Sequence, residues 1–305
     1  MTKALARGET PARPLLLPIV FSLGARLENM PLSEFSVNAT KIAAASRQIR
    51  SFLKTDGVTC YWDPFLEAEA LGCRVERDVA RTAQIACSPF GMAGDPAGNL
   101  NERGRVPVAM DVAHRLKLML KDEPAMMMRV TGPFTLARQL APPGGDWVDL
   151  VPIAAQAAAA LSNLFVEAGA DVLLLAEDWL PPLSAELCGQ WAELLSPIAN
   201  AIRFYEALPL LLLPEDRMEE VGTITPWASD WLVCRPPGLS DGGAVALPSN
   251  LCELDARARM EVAARVRALR PQIVTTSCDL PQGADWKPLA QLMGDLAAPG
   301  PAMRS

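Results

Sequence analysis

A single histidine, His114, serves the whole chain, and that scarcity excludes any mechanism pairing a catalytic histidine with a histidine metal ligand. Positive charge is also short. The formal charge of −7 and a pI near 5.0 leave no basic footprint to neutralise phosphates, which argues against nucleic acid as a partner. No Gly-x-Gly-x-x-Gly follows the first expected strand and no Gly-x4-Gly-Lys loop occurs, so nucleotide binding has no support. The first apolar run, Leu15–Leu23, contains Pro18 and is too short to span a bilayer, and no other run is expected to do so. The seven cysteines are odd in number and irregularly spaced. They make no disulfide framework and suit a reducing, cytoplasmic setting without a membrane.

Half of the residues are hydrophobic, ample for a large core. Residues 1–13 are polar and rich in Arg, Thr and Pro, and are expected as a flexible arm. From there strand and helix patterns alternate. Strands are expected at Arg13–Gly24, Gly57–Pro64, Ala125–Val130, Asp171–Ala176, Leu208–Leu213, Trp231–Cys234, Ala244–Leu247 and Gln272–Thr276. Helices are expected at Ser36–Lys54, Phe65–Leu71, Val106–Lys121, Val148–Ala168, Leu180–Tyr205, Glu253–Leu269 and Trp286–Leu296, with a short one near Met218–Val221. An excursion over residues 73–105 carries a hairpin around Val75–Cys87 and a glycine-rich loop at Gly91–Gly98. The alternation, with no compositional break, predicts an α/β fold: one (β/α)8 TIM barrel over residues 14–298, then a tail at 299–305. A doubly wound sheet is the alternative.

In a barrel, residues just past the strands converge on the C-terminal mouth. Asp63, Glu67 and Glu69 follow the second strand, Thr131 and Phe134 the third, and Glu177 and Asp178 the fourth. Glu215, Cys234, Asn250, Cys278 and Asp279 come from later strands. Two thiols among carboxylates suit a borderline divalent ion such as zinc, which would keep a bound thiol deprotonated and nucleophilic. The spacing is non-local, and a core thiol with a capping carboxylate fits Cys278 and Asp279 equally well. Trp62 and Trp179 are placed at the mouth, where flat rings can line a ligand. Met126–Met128 and the alanines around Ala154–Ala160 read as packing, and His114 as structural or surface.

Several segments resemble the uroporphyrinogen decarboxylase family, in particular its corrinoid-dependent, methylcobamide:coenzyme M methyltransferase-like branch. They are DPFLEAEALGCRV (Asp63–Val75), GRVPVAMDVAHRLK (Gly104–Lys117), VTGPFTLARQL (Val130–Leu140), the strand Gly169–Asp178, and the closing PSNLCEL, VTTSCDLP and ADWKPLAQLM. The resemblance implies a (β/α)8 barrel with its active site at the C-terminal mouth. Of the decarboxylase residues only Asp63 is kept. Phe21 and Ala25 stand where the first-loop arginines belong, Gln139 where the tyrosine belongs, and Cys278 where the histidine belongs. The methyltransferase pattern of a His-x-Cys pair and a last-strand Cys is matched by Cys234 and Cys278, with Leu232 in the histidine's place.

What the resemblance implies is a methyltransferase or demethylase working between a small molecule and a cobalamin carried on a corrinoid-binding partner protein. Asp63, Glu177 and Asp178 are its expected catalytic groups. Trp62, Glu67, Thr131, Phe134, Trp179 and Asn250 would bind substrate, and Cys234 and Cys278, with Glu177 as a further ligand, would hold zinc. Two alternatives are a decarboxylase or lyase that works through Asp63, and a non-catalytic subunit of a heteromeric complex; the chain itself is expected as a homo- or hetero-oligomer.

Overall fold

The structure, a computed structural model, describes residues 2–298 apart from 7, 10, 78–82, 88–97, 122–123, 221–223, 225 and 238–242, with no side-chain description at 83–87, 218 and 219. Eight parallel strands form one nearly closed barrel: β1 (Leu15–Leu16), β2 (Gly57–Tyr61), β5 (Ala125–Thr131), β6 (Val172–Ala176), β7 (Leu208–Leu212), β8 (Leu232–Arg235), β9 (Ala244–Leu247) and β10 (Ile273–Thr276). They are hydrogen-bonded in the order β1-β10-β9-β8-β7-β6-β5-β2. The β1–β2 seam is bridged where Asp56 N donates to Leu16 O at 3.1 Å and the Asp56 carboxylate accepts from Leu16 N at 2.9 Å. An antiparallel hairpin, β3 (Arg74–Arg77) with β4 (Ala83–Cys87), stands outside the barrel, as the excursion predicted. The glycine-rich loop, but for Gly98, and the tail 299–305 lie outside the described residues.

The helices are α1 (Thr2–Ala6), α2 (Phe21–Leu27), α3 (Leu32–Phe35), α4 (Ala39–Leu53), α5 (Leu66–Ala70), α6 (Val106–Leu120), α7 (Pro133–Leu140), α8 (Val151–Glu167), α9 (Ala185–Phe204), α10 (Ala256–Leu269) and α11 (Lys287–Ala297). Their starts follow local chemistry. Asn38, Ser184 and Asp255 accept from the first-turn amides of α4, α9 and α10, and proline opens α6, α7, α8 and α11, where no amide bond is lost. Helix α4 buries Ile42, Ala45, Ile49 and Leu53 of the apolar stripe that its spacing implies, whereas Phe52, the stripe's other member, stays exposed. Strands covered on both faces read as continuous apolar runs, as in VLLLA of β6 and LPLLL of β7. Gly57 opens β2 because a Cβ there would lie 2.3 Å from Ala125 O across the pair.

Four expectations change. The arm is ordered over Thr2–Ala6, where one turn buries Leu5 beside β7. The run Arg13–Gly24 is a two-residue strand and then helix α2, since Pro18 lacks the amide a longer ladder would use. The Gly-Pro turn after β5 opens a full helix, α7. Lastly, Val148–Glu167 is long and apolar enough to cross a membrane, contrary to expectation. In this fold α8 buries Ala154, Ala157, Ala158, Leu161 and Phe165 in the barrel's main core cluster, and small side chains permit that close approach.

Candidate active site at the barrel mouth

The central charge at the mouth comes from a residue that the strand pattern did not single out. Arg129 interrupts the apolar strand β5, is 3% exposed, and points among polar groups past β2 and β6. Its Nη1 donates to Thr131 Oγ1 at 2.8 Å and Asp63 O at 3.3 Å, and its Nη2 donates to Asp178 Oδ2 at 2.5 Å. The guanidinium lies 4.9 Å from the centre of the Trp62 ring. Its Nε is buried and has no hydrogen-bond partner among the described residues. A charge within an otherwise apolar strand was the sequence signal that could have found it.

Around this arginine the carboxylates divide by task. Asp63 accepts from Arg77 Nη2 at 2.7 Å and Phe65 N at 3.0 Å, so the hairpin arginine ties β3 to the mouth. Arg77 also grips Glu69 with two bonds of 3.0 Å. Glu67 is buried and accepts from Thr131 N at 2.7 Å and Thr131 Oγ1 at 2.6 Å. Burial raises its pKa, opposed by Arg129 and Thr131. Glu67 and Thr131 thus face each other rather than a substrate. Asp178 remains exposed.

Glu177, expected as acid or ligand, caps a helix instead. Its Oε1 accepts from Phe134 N and Trp191 Nε1, both at 3.2 Å, while Oε2 accepts from Thr135 N at 2.8 Å and Thr135 Oγ1 at 2.7 Å. The carboxylate sits on the N-terminus of α7, where free amides and the helix dipole favour negative charge. Burial nevertheless pushes its pKa up to about 7. Gly132 is required beside it, since a Cβ there would stand 2.2 Å from Glu177 Cδ. Asp279 does the same for α2, accepting from Ser22 N at 3.0 Å and Ser22 Oγ at 2.5 Å, and burial pushes its pKa up to about 6. Phe134 packs inward, stacked on Trp191 with ring centres 5.9 Å apart. Asn250 is exposed and opens a short 3-10 turn, and Glu215 accepts from Ser249 N at 3.1 Å. Trp62 and Trp179 do lie at the mouth, each with a guanidinium over one face, Arg129 and Arg138 respectively.

The two cysteines are not brought together. Cys234 is level with Ala244, which is level with Ile273, so Cys234 stands at the height of the first residue of β10, two strands away. Cys278 follows the end of that strand. At about 3.3 Å per residue the chain rises about 10 Å from Ile273 to Thr276, whereas two sulfurs on one zinc stand at most about 4.6 Å apart. Cys234 is 0% exposed in the main core cluster, and burial pushes its thiol far up. Cys278 is half-buried and its thiol is pushed up to about 11 by burial and by the charges of Asp279, Glu215 and Asp178. Among the described residues no three His, Cys, Asp or Glu side chains stand where they could share a metal. The proposed zinc set of Cys234, Cys278 and Glu177 therefore does not fit this barrel.

A parallel eight-stranded barrel with its buried polar groups gathered past the strand C-termini has the architecture of a (β/α)8 enzyme fold. The chain belongs to the uroporphyrinogen decarboxylase family: the sequence profile described as Uroporphyrinogen decarboxylase (URO-D) matches residues 2–202. Among solved structures it is similar to a methyltransferase from Methanosarcina mazei, at 15% identity and a TM-score of 0.78 over 96% of each chain. It is also similar to a B12-independent methionine synthase from Shewanella sp. W3-18-1, crystallised with selenomethionine, at 12% identity and a TM-score of 0.52 over 88% of each chain. At these identities the likeness is one of fold. A search of curated proteins found no match.

Proposed function

We propose that this chain is a methyl-transferring member of the family, moving a methyl group between a small molecule at the barrel mouth and a corrinoid on a partner protein in the cytoplasm. The observation that carries the reading is the charge balance of the mouth. Among the described residues Arg77, Arg105 and Arg129 are matched by Asp63, Glu69 and Asp178, so a substrate with many carboxylates meets no surplus of buried positive charge from them. That counts against porphyrinogen decarboxylation, and against a lyase working through Asp63, whose carboxylate is held by Arg77. The end-to-end likeness in fold to a methyltransferase supports the remaining choice.

A corrinoid supplies the cobalt–carbon chemistry when its carrier docks. The chain's own part is to hold the small molecule over Arg129 and Trp62, with Asp178 as the exposed carboxyl able to take or give a proton there. Cys278 faces this space as a neutral thiol at pH 7, and no step passes through zinc. The test is methylcobalamin with a panel of thiols, amines and small acids, followed by the visible spectrum. Methyl transfer in either direction, lost in Asp178→Ala, supports the proposal; folded protein that transfers nothing refutes it. A second reading, a non-catalytic subunit, is favoured by the internal engagement of Asp63, Glu67 and Glu177, and that same silence would support it.

A further inference from the structure

We infer that Arg129 anchors a single carboxylate on the small-molecule substrate, and that Asp178 occupies the anchor until the substrate arrives. This deepens the reading above and rests on it for the identity of the reaction, but not for the binding event.

An arginine inside a barrel is costly unless its donors are paired. Here the pairing is incomplete in one specific place. Nη1 has two acceptors and Nη2 has Asp178, while Nε has none among the described residues. Nε and Nη2 project along the same edge of the planar guanidinium, the edge a carboxylate grips with both oxygens. Asp178 reaches only Nη2 of that pair, through one oxygen. A ligand carboxylate free of the β6 backbone can place an oxygen on each nitrogen.

The two members of the pair also differ in what they can give up. The Arg129 side chain is 1% exposed and that of Asp178 is 44% exposed. Water already reaches the aspartate, whereas the arginine is covered as long as Asp178 stays in place, so Asp178 is the exchangeable partner. The Trp62 ring under the guanidinium fixes the plane of the fork, so the receiving edge keeps its orientation when Asp178 leaves. Displacement also frees the Asp178 carboxyl, at the moment of binding, for the proton-handling role given above.

Charge selects the ligand class. Asp63, Glu69, Glu215 and Asp279 share the mouth, and Arg129 offers one positive charge. A monocarboxylate replaces Asp178 charge for charge, whereas a phosphate of about −2 adds net repulsion.

The test is calorimetric binding of benzoate and acetate to the full chain, with phosphate as the competing anion, in wild type, Asp178→Asn, Arg129→Met and Arg129→Lys. Carboxylates should bind wild type. They should bind Asp178→Asn about tenfold more tightly, because the resident charge is removed while an amide oxygen still caps the arginine. Arg129→Lys, which keeps the charge but loses the fork, should weaken binding about tenfold, and Arg129→Met should abolish it. The inference is overturned if neither wild type nor Asp178→Asn binds carboxylates, if Arg129→Lys binds as wild type does, or if phosphate binds as tightly as benzoate. Should Arg129→Met not fold, the Asn and Lys variants still decide. Methyl transfer without carboxylate binding would overturn this inference alone, and carboxylate binding without methyl transfer would overturn the proposed function alone.

Discussion

Replacing Glu177 with glutamine should make the stability of the barrel less dependent on pH, and the size of the change follows from its surroundings. The group titrates at about 7 in the folded chain against an ordinary value of 4.5, because burial disfavours its charge more than its four donors favour it. A folded-state pKa above the unfolded one means that the folded chain holds the proton more tightly. Below about pH 4.5 the group is neutral in both states and the pH does not matter. Between 4.5 and 7 the unfolded chain ionises first and gains, so stability falls as pH rises, and above about 7 the loss is complete. At about 1.4 kcal/mol per pH unit, the gap of about two and a half units amounts to roughly 3 kcal/mol. The neutral form has somewhere to put its proton: Oε2–H can donate to Thr135 Oγ1, whose own hydrogen then serves Trp179 O at 3.1 Å. Urea unfolding at pH 5, 6, 7 and 8 measures the effect. Wild type should lose about 2.5 kcal/mol more than Glu177→Gln between pH 5 and 8, since part of the loss falls below pH 5, and Asp279, which acts in the same direction, cancels in the comparison. Glutamine itself should cost about 1–2 kcal/mol at pH 5, since its amide nitrogen, standing in for Oε2, cannot accept from Thr135 N. Equal pH slopes for the two proteins would refute the reasoning.

Gly132→Ala should destabilise by about 2–3 kcal/mol, because the added methyl meets the buried Glu177 carboxyl, which its four hydrogen bonds hold in place; a change below about 1 kcal/mol by urea unfolding would count against the cap. Zinc measured by mass spectrometry of metal-replete protein should fall well short of one per chain and be unchanged in Cys234→Ser and Cys278→Ser, and stoichiometric zinc lost in both would restore the metal site. Iodoacetamide should label native Cys278 slowly at pH 8 and far faster above pH 10, with Cys234 protected throughout, because the thiolate is the reactive form. Rapid labelling of Cys278 at pH 7 would contradict the charge arrangement around it.

Much of the barrel was legible because parallel strands buried on both faces leave continuous apolar runs, and helices between them leave stripes and caps. The errors lie where one apolar run serves two elements, as at Leu15–Leu27, or where a Gly-Pro pair both ends a strand and starts a helix, as at Gly132–Pro133. The site was harder. Position past a strand brought Asp63, Asp178, Trp62 and Cys278 to the mouth, but not what each would face. Glu177 precedes Asp178 by one residue, yet alternation along the chain sends one onto the α7 amides and the other onto Arg129 at the solvent edge. Cys234 closes an apparent strand in the sequence, but the stagger of β8 against β9 sets it level with the start of its neighbour, deep in the barrel. Such registers depend on pairing between distant segments, which a local pattern does not encode.

The helix caps have a consequence for the ligands this barrel can admit. Phosphorylated metabolites are commonly seated by backbone amides at helix N-termini, a socket that needs no particular side chain. Here Asp279 plugs that socket on α2 and Glu177 plugs it on α7, each from within the chain. Backbone recognition of an oxyanion is thereby pre-empted at both places. Any acidic ligand reaching them must contend with a resident carboxylate, and selectivity passes from the main chain to side chains that a single substitution can rewrite.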